Sequence, residues 1–203
     1  MSLSAPRKIN LGSGKDFRPD YLNIDIDEYW GPDIIADVSG DFPRGGRALY
    51  ATSRFGEIEI AHGGFDEIIC RDVLEHVPDL VRTMTNCLNL LRVGGVFDIL
   101  VPYDLSYGAW QDPTHIRAFN ERSWLYYTDW FWYLNWSTHR FVMTGLSFAP
   151  SDLGRAMAAD GIPQDAILRT PRAIDSMMTK LEKVELSDAD RETLDRFRPR
   201  RSP

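Results

Sequence analysis

The 203-residue sequence has few cysteines and no long apolar run. Two thiols cannot supply a disulfide scaffold, and Cys70 and Cys87 both lie in apolar contexts typical of reduced, buried side chains. A membrane-spanning helix needs about 18 to 20 consecutive apolar residues, and Met1–Lys8 has no apolar stretch of the kind found in signal peptides. We therefore expect a cytoplasmic protein with no membrane partner.

Basic side chains are also in deficit. Lys and Arg number 23 against 30 Asp and Glu, which gives a net charge of −7 and disfavours a nucleic-acid partner. The clearest basic feature is a terminal tail, which we interpret as a solvated chain end, formed by Arg196, Arg198, Arg200 and Arg201. The length fits one domain, and 43% hydrophobic with 26% charged residues excludes a wholly disordered chain.

The first half of the chain alternates short apolar runs with loops and one clear helical pattern. The helix begins at Pro78, has apolar residues at 80, 81, 84, 88 and 91, and is expected to stop at Gly94–Gly95. Because a strand precedes it and another follows, this βαβ unit predicts a parallel sheet covered by helices. The runs that predict strands are residues 8–11, 21–25, 33–37, 65–70 and 96–101.

The second half is less regular. We predict a helix from Asn120 to about Trp130, strands near 139–148 and 166–168, and a helix over 152–160 capped by Ser151. Thr170–Pro171 is expected to open a final amphipathic helix, with an apolar face of Ile174, Met177, Met178, Leu181 and Val184. The chain would then divide into a domain over 1–168, with an aromatic-rich cap segment at 120–148, and a C-terminal helix and basic tail over 169–203.

A glycine-containing turn follows the first predicted strand. Gly12, Ser13 and Gly14 are small enough to let backbone amides approach a ligand closely. A dinucleotide fingerprint would need a third small residue where Phe17 stands, so a nicotinamide site is disfavoured. A glycine turn of purely structural use stays an alternative.

Acidic residues end the next predicted strands. Asp25 ends the second and Asp37 the third, and ligands of open parallel sheets bind at such carboxyl ends. A carboxylate there can accept hydrogen bonds from two ribose hydroxyls, although Asp also favours strand ends by bonding local backbone. Glu75 and His76, just before Pro78, can equally serve as an N-terminal cap of the helix.

Five runs of sequence, in a fixed order over residues 8–120, resemble the class I S-adenosylmethionine-dependent methyltransferases, particularly compact bacterial ones with an LEH segment. The five runs are INLGSG, LNIDI, IIADV, FDEIICRDVLEHV and LLRVGGVFDILVPY. The resemblance implies a Rossmann-like, doubly wound α/β fold with a mostly parallel sheet and helices on both faces. Only ten residues separate Gly14 from Asp25 and Pro19 interrupts them, so the first helix is expected to be a turn or absent.

The resemblance also implies S-adenosylmethionine as cofactor and suggests its contacts. Asp25 is assigned to the ribose, although Asp37 lies nearer the usual distance from the glycines and the choice stays open. The implied contacts are Leu11, Gly12, Ser13 and Gly14 for the methionine part, Asp25 and Ile26 for the ribose, Asp37 and Val38 for adenine, Arg71, Asp72 and Leu74 for the opposite wall, and His76 at the pocket mouth.

The loop beyond the fifth strand would border the transferred methyl group, which makes Tyr103, Asp104, Asp112 and His115 the catalytic candidates. An imidazole titrates near neutral pH, so His115 suits a general base, with Asp112 orienting its ring. The alternative is a local turn started by Asp112. No metal is expected, because the four histidines are scattered, although Asp104, Asp112 and His115 could hold a cation.

The predicted function is methyl transfer to an O or N atom of a small molecule, such as a sugar or natural-product intermediate. Alternatives are an inactive S-adenosylmethionine-binding protein and a nucleic-acid methyltransferase. Residues 124–136 contain eight aromatic residues, a third of the chain's total. Because eight exceed one helix face, we expect some to cover the substrate site or to form a homodimer interface, there or through the C-terminal helix.

Overall fold

The computed structural model describes residues 6–198 as a seven-stranded sheet, a two-stranded hairpin and five α-helices. The strands are β1 Lys8–Leu11, β2 Leu22–Asp25, β3 Ile34–Ile35, β4 Arg47–Thr52, β5 Gly56–Ala61, β6 Phe65–Arg71, β7 Leu91–Pro102, β8 His139–Pro150 and β9 Ile174–Glu185. The helices are α1 Leu80–Leu90, α2 Gly108–Gln111, α3 Asp152–Ala159, α4 Gln164–Leu168 and α5 Asp188–Phe197.

The large sheet has the order β3-β2-β1-β6-β7-β9-β8. Neighbours from β3 to β7 pair in parallel, whereas β9 is antiparallel to both β7 and β8. The predicted Rossmann-like, mostly parallel α/β fold is confirmed. The chain steps outward from β1 to β3 and then returns to β6 on the other side of β1. Ligands bind at such a switch point, beyond the carboxyl ends of the strands.

The predicted βαβ unit is present as β6, α1 and β7. The Asp79 carboxylate caps α1 by accepting a hydrogen bond from Arg82 N at 2.9 Å, and the helix buries Met84, Cys87 and Leu88. α1 ends at Leu90, earlier than the predicted stop at Gly94–Gly95, because the chain enters β7 there.

No helix lies between β1 and β2, as the short connection between them predicts, and residues 12–21 form turns. Two buried asparagines satisfy the backbone of these turns. Asn10 Nδ2 donates to Asp16 O at 2.6 Å and to Asn23 Oδ1 at 3.0 Å, and Asn23 Oδ1 also accepts from Arg18 N at 2.9 Å. The sequence did not predict the β4–β5 hairpin, which occupies the connection between β3 and β6.

The predicted helix opening at Thr170–Pro171 is wrong, because its apolar face falls within strand β9. This strand lies between β7 and β8 and buries alternate side chains, namely Met177, Thr179, Leu181 and Lys183. Two of the four are polar, which hid the two-residue period in the sequence. Lys183 is accommodated because its Nζ donates to Leu91 O at 2.7 Å. The sheet therefore runs across the division predicted at residue 168.

Two smaller predictions also fail. Residues 120–130 form successive turns rather than a helix, with hydrogen bonds such as Tyr127 N to Trp124 O that span three residues. Residues 166–168 belong to α4 and not to a strand. The strand near 139–148 and the helix over 152–160 are confirmed, the latter with Ser151 Oγ accepting from Gly154 N.

The aromatic segment is mostly core. Trp124, Tyr127, Phe131 and Trp136 are buried, and Trp132 stacks on Phe197 of α5 with ring centroids 4.5 Å apart. The exposed members are Tyr126, Trp130 and Tyr133. The homodimer stays a prediction, and Arg200 and Arg201 of the basic tail lie outside the described residues. No helix within residues 6–198 is long and apolar enough to cross a membrane.

Candidate active site

The turn after β1 has two glycines with left-handed backbone, at φ 63° for Gly12 and 44° for Gly14. A Cβ on Gly12 would lie 2.3 Å from a methyl of Val73, so packing of the protein itself requires that glycine. A Cβ on Gly14 would meet no atom within 4 Å, and between the two glycines the buried Ser13 Oγ has no hydrogen-bond partner in the described chain. Gly14 thus borders space that a ligand can occupy, with the buried hydroxyl of Ser13 beside it.

Asp25 at the end of β2 holds this turn in place. Its side chain is 9% exposed, and its two oxygens accept hydrogen bonds from Gly14 N at 2.7 Å and Asp27 N at 2.9 Å. Each carboxylate oxygen keeps a further lone pair, so both remain able to accept from hydroxyl groups. Ile26 beside it is exposed.

The two predicted adenine contacts, Asp37 and Val38, differ from Asp25 in burial and in hydrogen bonding. Asp37 is exposed, and its Oδ1 accepts from the backbone N and the hydroxyl of Ser39 at 2.8 and 2.6 Å. This is the local turn that the sequence left open as an alternative. Val38 is buried in the core, and its carbonyl accepts from Asn86.

The three predicted wall residues after β6 separate in space. Arg71 forms an ion pair with Asp98 at 2.7 Å, and Leu74 is fully buried in the core. Asp72 adopts a left-handed backbone, with φ 53°, and lines a cavity of about 380 Å³. Asp72 is therefore the wall residue that faces this space.

The cavity lies where β6 and β7 end, against the start of β9. It brings together four of the predicted site residues, Asp72, His76, Asp112 and His115, with Glu75 among them. The full lining is Asp72, Glu75, His76, Leu100, Pro102, Gly108, Gln111, Asp112, His115, Asp175 and Ser176.

Tyr103 and Asp104 do not line this cavity. The Tyr103 hydroxyl donates to Glu121 at 2.8 Å, and burial together with that carboxylate raises the pKa of Tyr103 well above its usual value. Asp104 Oδ2 accepts from Asn120 at 3.0 Å. The structure thus directs both side chains toward residues 120–121.

Of the two predicted catalytic residues that line the cavity, His115 is the more enclosed, with its side chain 7% exposed against 45% for Asp112. Its Nδ1 is 3.1 Å from Ala109 O, and its Nε2 is 4.0 Å from both Glu75 Oε1 and Asp112 Oδ2. The predicted orienting hydrogen bond, from the His115 ring to Asp112, is absent at a separation of 4.0 Å, and Asp112 Oδ1 instead accepts from the backbone and hydroxyl of Thr114. The Ala109 carbonyl orients the ring.

Glu75 is the principal residue that sequence reasoning did not select. It is 1% exposed, and neither carboxylate oxygen has a hydrogen-bond partner in the described chain. Burial raises its pKa to about 7, with a smaller contribution from Asp72. The expected capping role is wrong, since Asp79 caps α1. Its place beside His76 in the LEH segment was the available signal.

Arg117, also missed, joins the two loops that form the cavity. Its guanidinium donates to the carbonyls of Leu74, Val77 and Pro78, and Ile116 N donates to the carbonyl of Glu75 at 3.0 Å. The loop that carries His115 is therefore fixed to the segment that carries Glu75. The segment DPTHIR, residues 112–117, thus contains both the cavity residues Asp112 and His115 and the residues that attach this loop to the Glu75 segment.

Comparisons with known proteins bear on what this site is. Residues 10–99 match the family model of a methyltransferase domain. A probable S-adenosylmethionine-dependent methyltransferase of Mycolicibacterium smegmatis is 28% identical over 120 residues, which cover 50% of this chain and 46% of that protein. Residues 10–99 of this chain are thus similar to a methyltransferase domain, and the chain has a relative described as S-adenosylmethionine-dependent. It spans about half the length of the Mycolicibacterium methyltransferase.

Solved structures share the fold of this chain. An S-adenosylmethionine-dependent methyltransferase from Archaeoglobus fulgidus has a TM-score of 0.59 at 13% identity, over 88% of this chain and 86% of its own. One from Mesorhizobium loti has a TM-score of 0.50 at 14% identity, over 90% and 93%. The [4+2]-cyclase SpnF also matches, with a TM-score of 0.54 at 13% identity over 89% and 76%, so the fold alone does not fix the reaction.

The cofactor of the family is S-adenosylmethionine, and the residues around Gly14 fit it. The open space at Gly14, the unpartnered hydroxyl of Ser13 and the free lone pairs of Asp25 are features that an extended, polar ligand can satisfy. When bound, this group supplies an activated methyl electrophile.

Proposed function

We propose that this protein transfers the methyl group of S-adenosylmethionine to a hydroxyl or amine of a small molecule, of the class of sugars or natural-product intermediates. The observation that carries this proposal is the open pocket that joins Glu75, His76 and His115 beyond β6 and β7. Its volume of about 380 Å³ is within the size range of small-molecule sites. Its described lining has no Lys or Arg to bind a phosphate backbone.

The proposed reaction needs no covalent bond between the protein and either reactant. The sulfonium carbon–sulfur bond breaks as the acceptor oxygen or nitrogen bonds to the methyl group, and sulfur keeps the electron pair. The protein must align the two reactants and take up the proton that the acceptor loses. In our proposal, Gly12–Gly14 and Asp25 hold the donor, with the Asp25 carboxylate on the ribose.

His115 is the proposed general base. Its Nδ1 faces the Ala109 carbonyl, which can only accept, so Nδ1 carries the proton and Nε2 keeps a lone pair. That lone pair lies on the cavity side, 4.0 Å from Glu75. Asp112 Oδ2 is also 4.0 Å from this nitrogen, so both acidic side chains lie close to the position that the proton would take.

The test is methyl transfer to a panel of hydroxyl- and amine-bearing small molecules, measured as release of S-adenosylhomocysteine. His115→Ala should lower turnover at least about 100-fold, the lower end of what a positioned base contributes. The affinity for S-adenosylhomocysteine should stay within a few fold. His139→Ala removes a histidine outside the cavity and is the matched control.

Other outcomes would overturn defined parts of the proposal. Near-normal turnover in His115→Ala or His115→Gln would remove this residue as the base. A joint fall of melting temperature and acceptor affinity would assign the ring a structural role. Methylation of RNA or DNA, but of no small molecule, would replace the substrate class, and cofactor binding without any turnover would indicate an inactive binding protein.

A further inference from the structure

Three potential metal ligands converge in the cavity. Glu75 and His76 are adjacent on the segment after β6, and His115 comes from the loop after β7. One ligand atom from each lies within 4.8 Å of the other two, and His115 Nε2 is 4.0 Å from Glu75 Oε1. Two imidazoles and one carboxylate form a donor set that proteins use for divalent transition metals.

Both rings are held in the tautomer that a metal requires. His115 Nδ1 donates to Ala109 O at 3.1 Å, which leaves Nε2 unprotonated. Thr114 Oγ1 donates its only proton to Asp112 Oδ1 at 2.7 Å, so it accepts from His76 Nδ1 at 2.9 Å and leaves the Nε2 of that ring unprotonated. Metal-binding histidines are oriented by such contacts of the second ring nitrogen.

The burial of Glu75 is a second observation that fits a bound cation. Its side chain is 1% exposed, and both oxygens lack a partner within residues 6–198. A buried carboxyl group without hydrogen bonds stays protonated unless a positive group pairs with its charged form, and a metal ion can displace that proton. No Lys or Arg of the described residues lines the cavity, whereas Asp72, Asp112 and Asp175 do, so the surroundings also favour a cation.

We propose that Glu75, His76 and His115 bind one divalent transition-metal ion, with Zn²⁺ as the best match to the donor set. Tetrahedral Zn²⁺ with ligand distances of about 2.0 to 2.1 Å separates its ligands by about 3.4 Å, so the 4.0 Å gap needs to close by about 0.6 Å. Mg²⁺ and Ca²⁺ prefer oxygen ligands and fit this set less well.

The ion has a defined consequence for the proposed reaction, and this step rests on the proposed function. A lone pair on His115 Nε2 cannot accept a proton while it binds a metal. Zn²⁺ would therefore inhibit methyl transfer by occupying the general base. The rate of methyl transfer would then depend on the concentration of the metal ion as well as on that of the acceptor.

Metal binding is tested without turnover. Chelator-treated protein is titrated with Zn²⁺ in competition with a chromophoric chelator, and with Co²⁺ to record its visible ligand-field bands. We expect one ion per chain, and at least about a 100-fold loss of affinity in Glu75→Gln, His76→Gln and His115→Gln, given that even supporting contacts change affinity 10- to 100-fold. The matched controls are His62→Gln and His139→Gln, which alter the other two histidines.

Each outcome bears on a separate claim. Absence of stoichiometric binding, binding that survives the three site variants, or preference for Mg²⁺ would overturn the metal site. Binding of S-adenosylhomocysteine, measured on the same samples, reports whether the cofactor site is intact. With the best acceptor of the panel, saturating Zn²⁺ should abolish turnover and excess chelator should restore it. Stimulation by Zn²⁺ would overturn the inhibitory role.

Discussion

Replacing Glu75 with glutamine is predicted to change how the stability of this protein depends on pH. Burial raises the pKa of Glu75 from 4.5 to about 7 in the folded protein. Between these values the folded protein holds a proton that the unfolded chain has released. The resulting stabilisation is complete below about pH 4.5 and is lost as the pH rises through 7. Glutamine has no such proton.

The size of the effect follows from the shift. A difference of about 2.5 pKa units corresponds to about 3 kcal/mol. The free energy of unfolding of the wild type, relative to Glu75→Gln, should therefore fall by about 3 kcal/mol between about pH 4.5 and 8.5. For a chain of this length that is a relative change in melting temperature of roughly 6 to 12 °C. Asp72 and Asp112 raise the pKa of Glu75 further, and His115 lowers it. All three side chains are retained in Glu75→Gln.

The measurement is urea denaturation at a series of pH values in the presence of a chelator, so that no metal ion contributes. Linear extrapolation gives the free energy of unfolding at each pH. Glu57→Gln is the matched control, because the side chain of Glu57 is exposed and its carboxylate is already in water. Parallel pH profiles for wild type and Glu75→Gln would refute the reasoning and show that the folded protein does not keep Glu75 protonated.

The remaining predictions concern the cofactor site. Gly12→Ala and Gly14→Ala share the cost of a left-handed backbone, but only Gly12→Ala also displaces Val73, so it should lose about 1 to 3 kcal/mol more stability. Gly14→Ala should stay folded and lose affinity for S-adenosylhomocysteine in calorimetry; equal stability of the two variants would contradict this. Asp25→Ala should weaken that binding by roughly 1.5 to 3 kcal/mol, and Asp37→Ala should change it little. The reverse order would assign the ribose to Asp37.

Sequence patterns predicted the elements of the fold whose burial follows a simple rule. The parallel strands β1, β2 and β6 each have a short run of buried apolar residues, although Asn10 and Asn23 are buried among them, and α1 has one apolar face, so these elements were identified. β9 was not, because the inward positions Thr179 and Lys183 are polar while the outward Met178 is apolar. Lys183 can be buried only because it reaches Leu91 O, a contact between residues 92 apart in the chain. No local pattern records such a partner.

In the candidate site, too, the residues with a local sequence signal were predicted and those that depend on distant contacts were not. The cofactor turn was found because glycines and strand-end acids are local signals. Glu75 was considered a possible cap because local sequence does not show that Ile116 and Arg117 of a distant loop fix its segment by hydrogen bonds. His115 was selected, but the group that orients it is a backbone carbonyl, which has no signature in a sequence.

The two halves of the site therefore rest on different kinds of support. The cofactor turn and Glu75 lie within residues 10–99, which match the methyltransferase family model, whereas His115 and Arg117 lie beyond them. A cyclase shares the same fold, so a reaction cannot be transferred through the shared sheet alone. Cofactor binding tests the half common to the family. Only substitutions in the loop carrying His115, with cofactor affinity measured alongside turnover, test the chemistry particular to this chain.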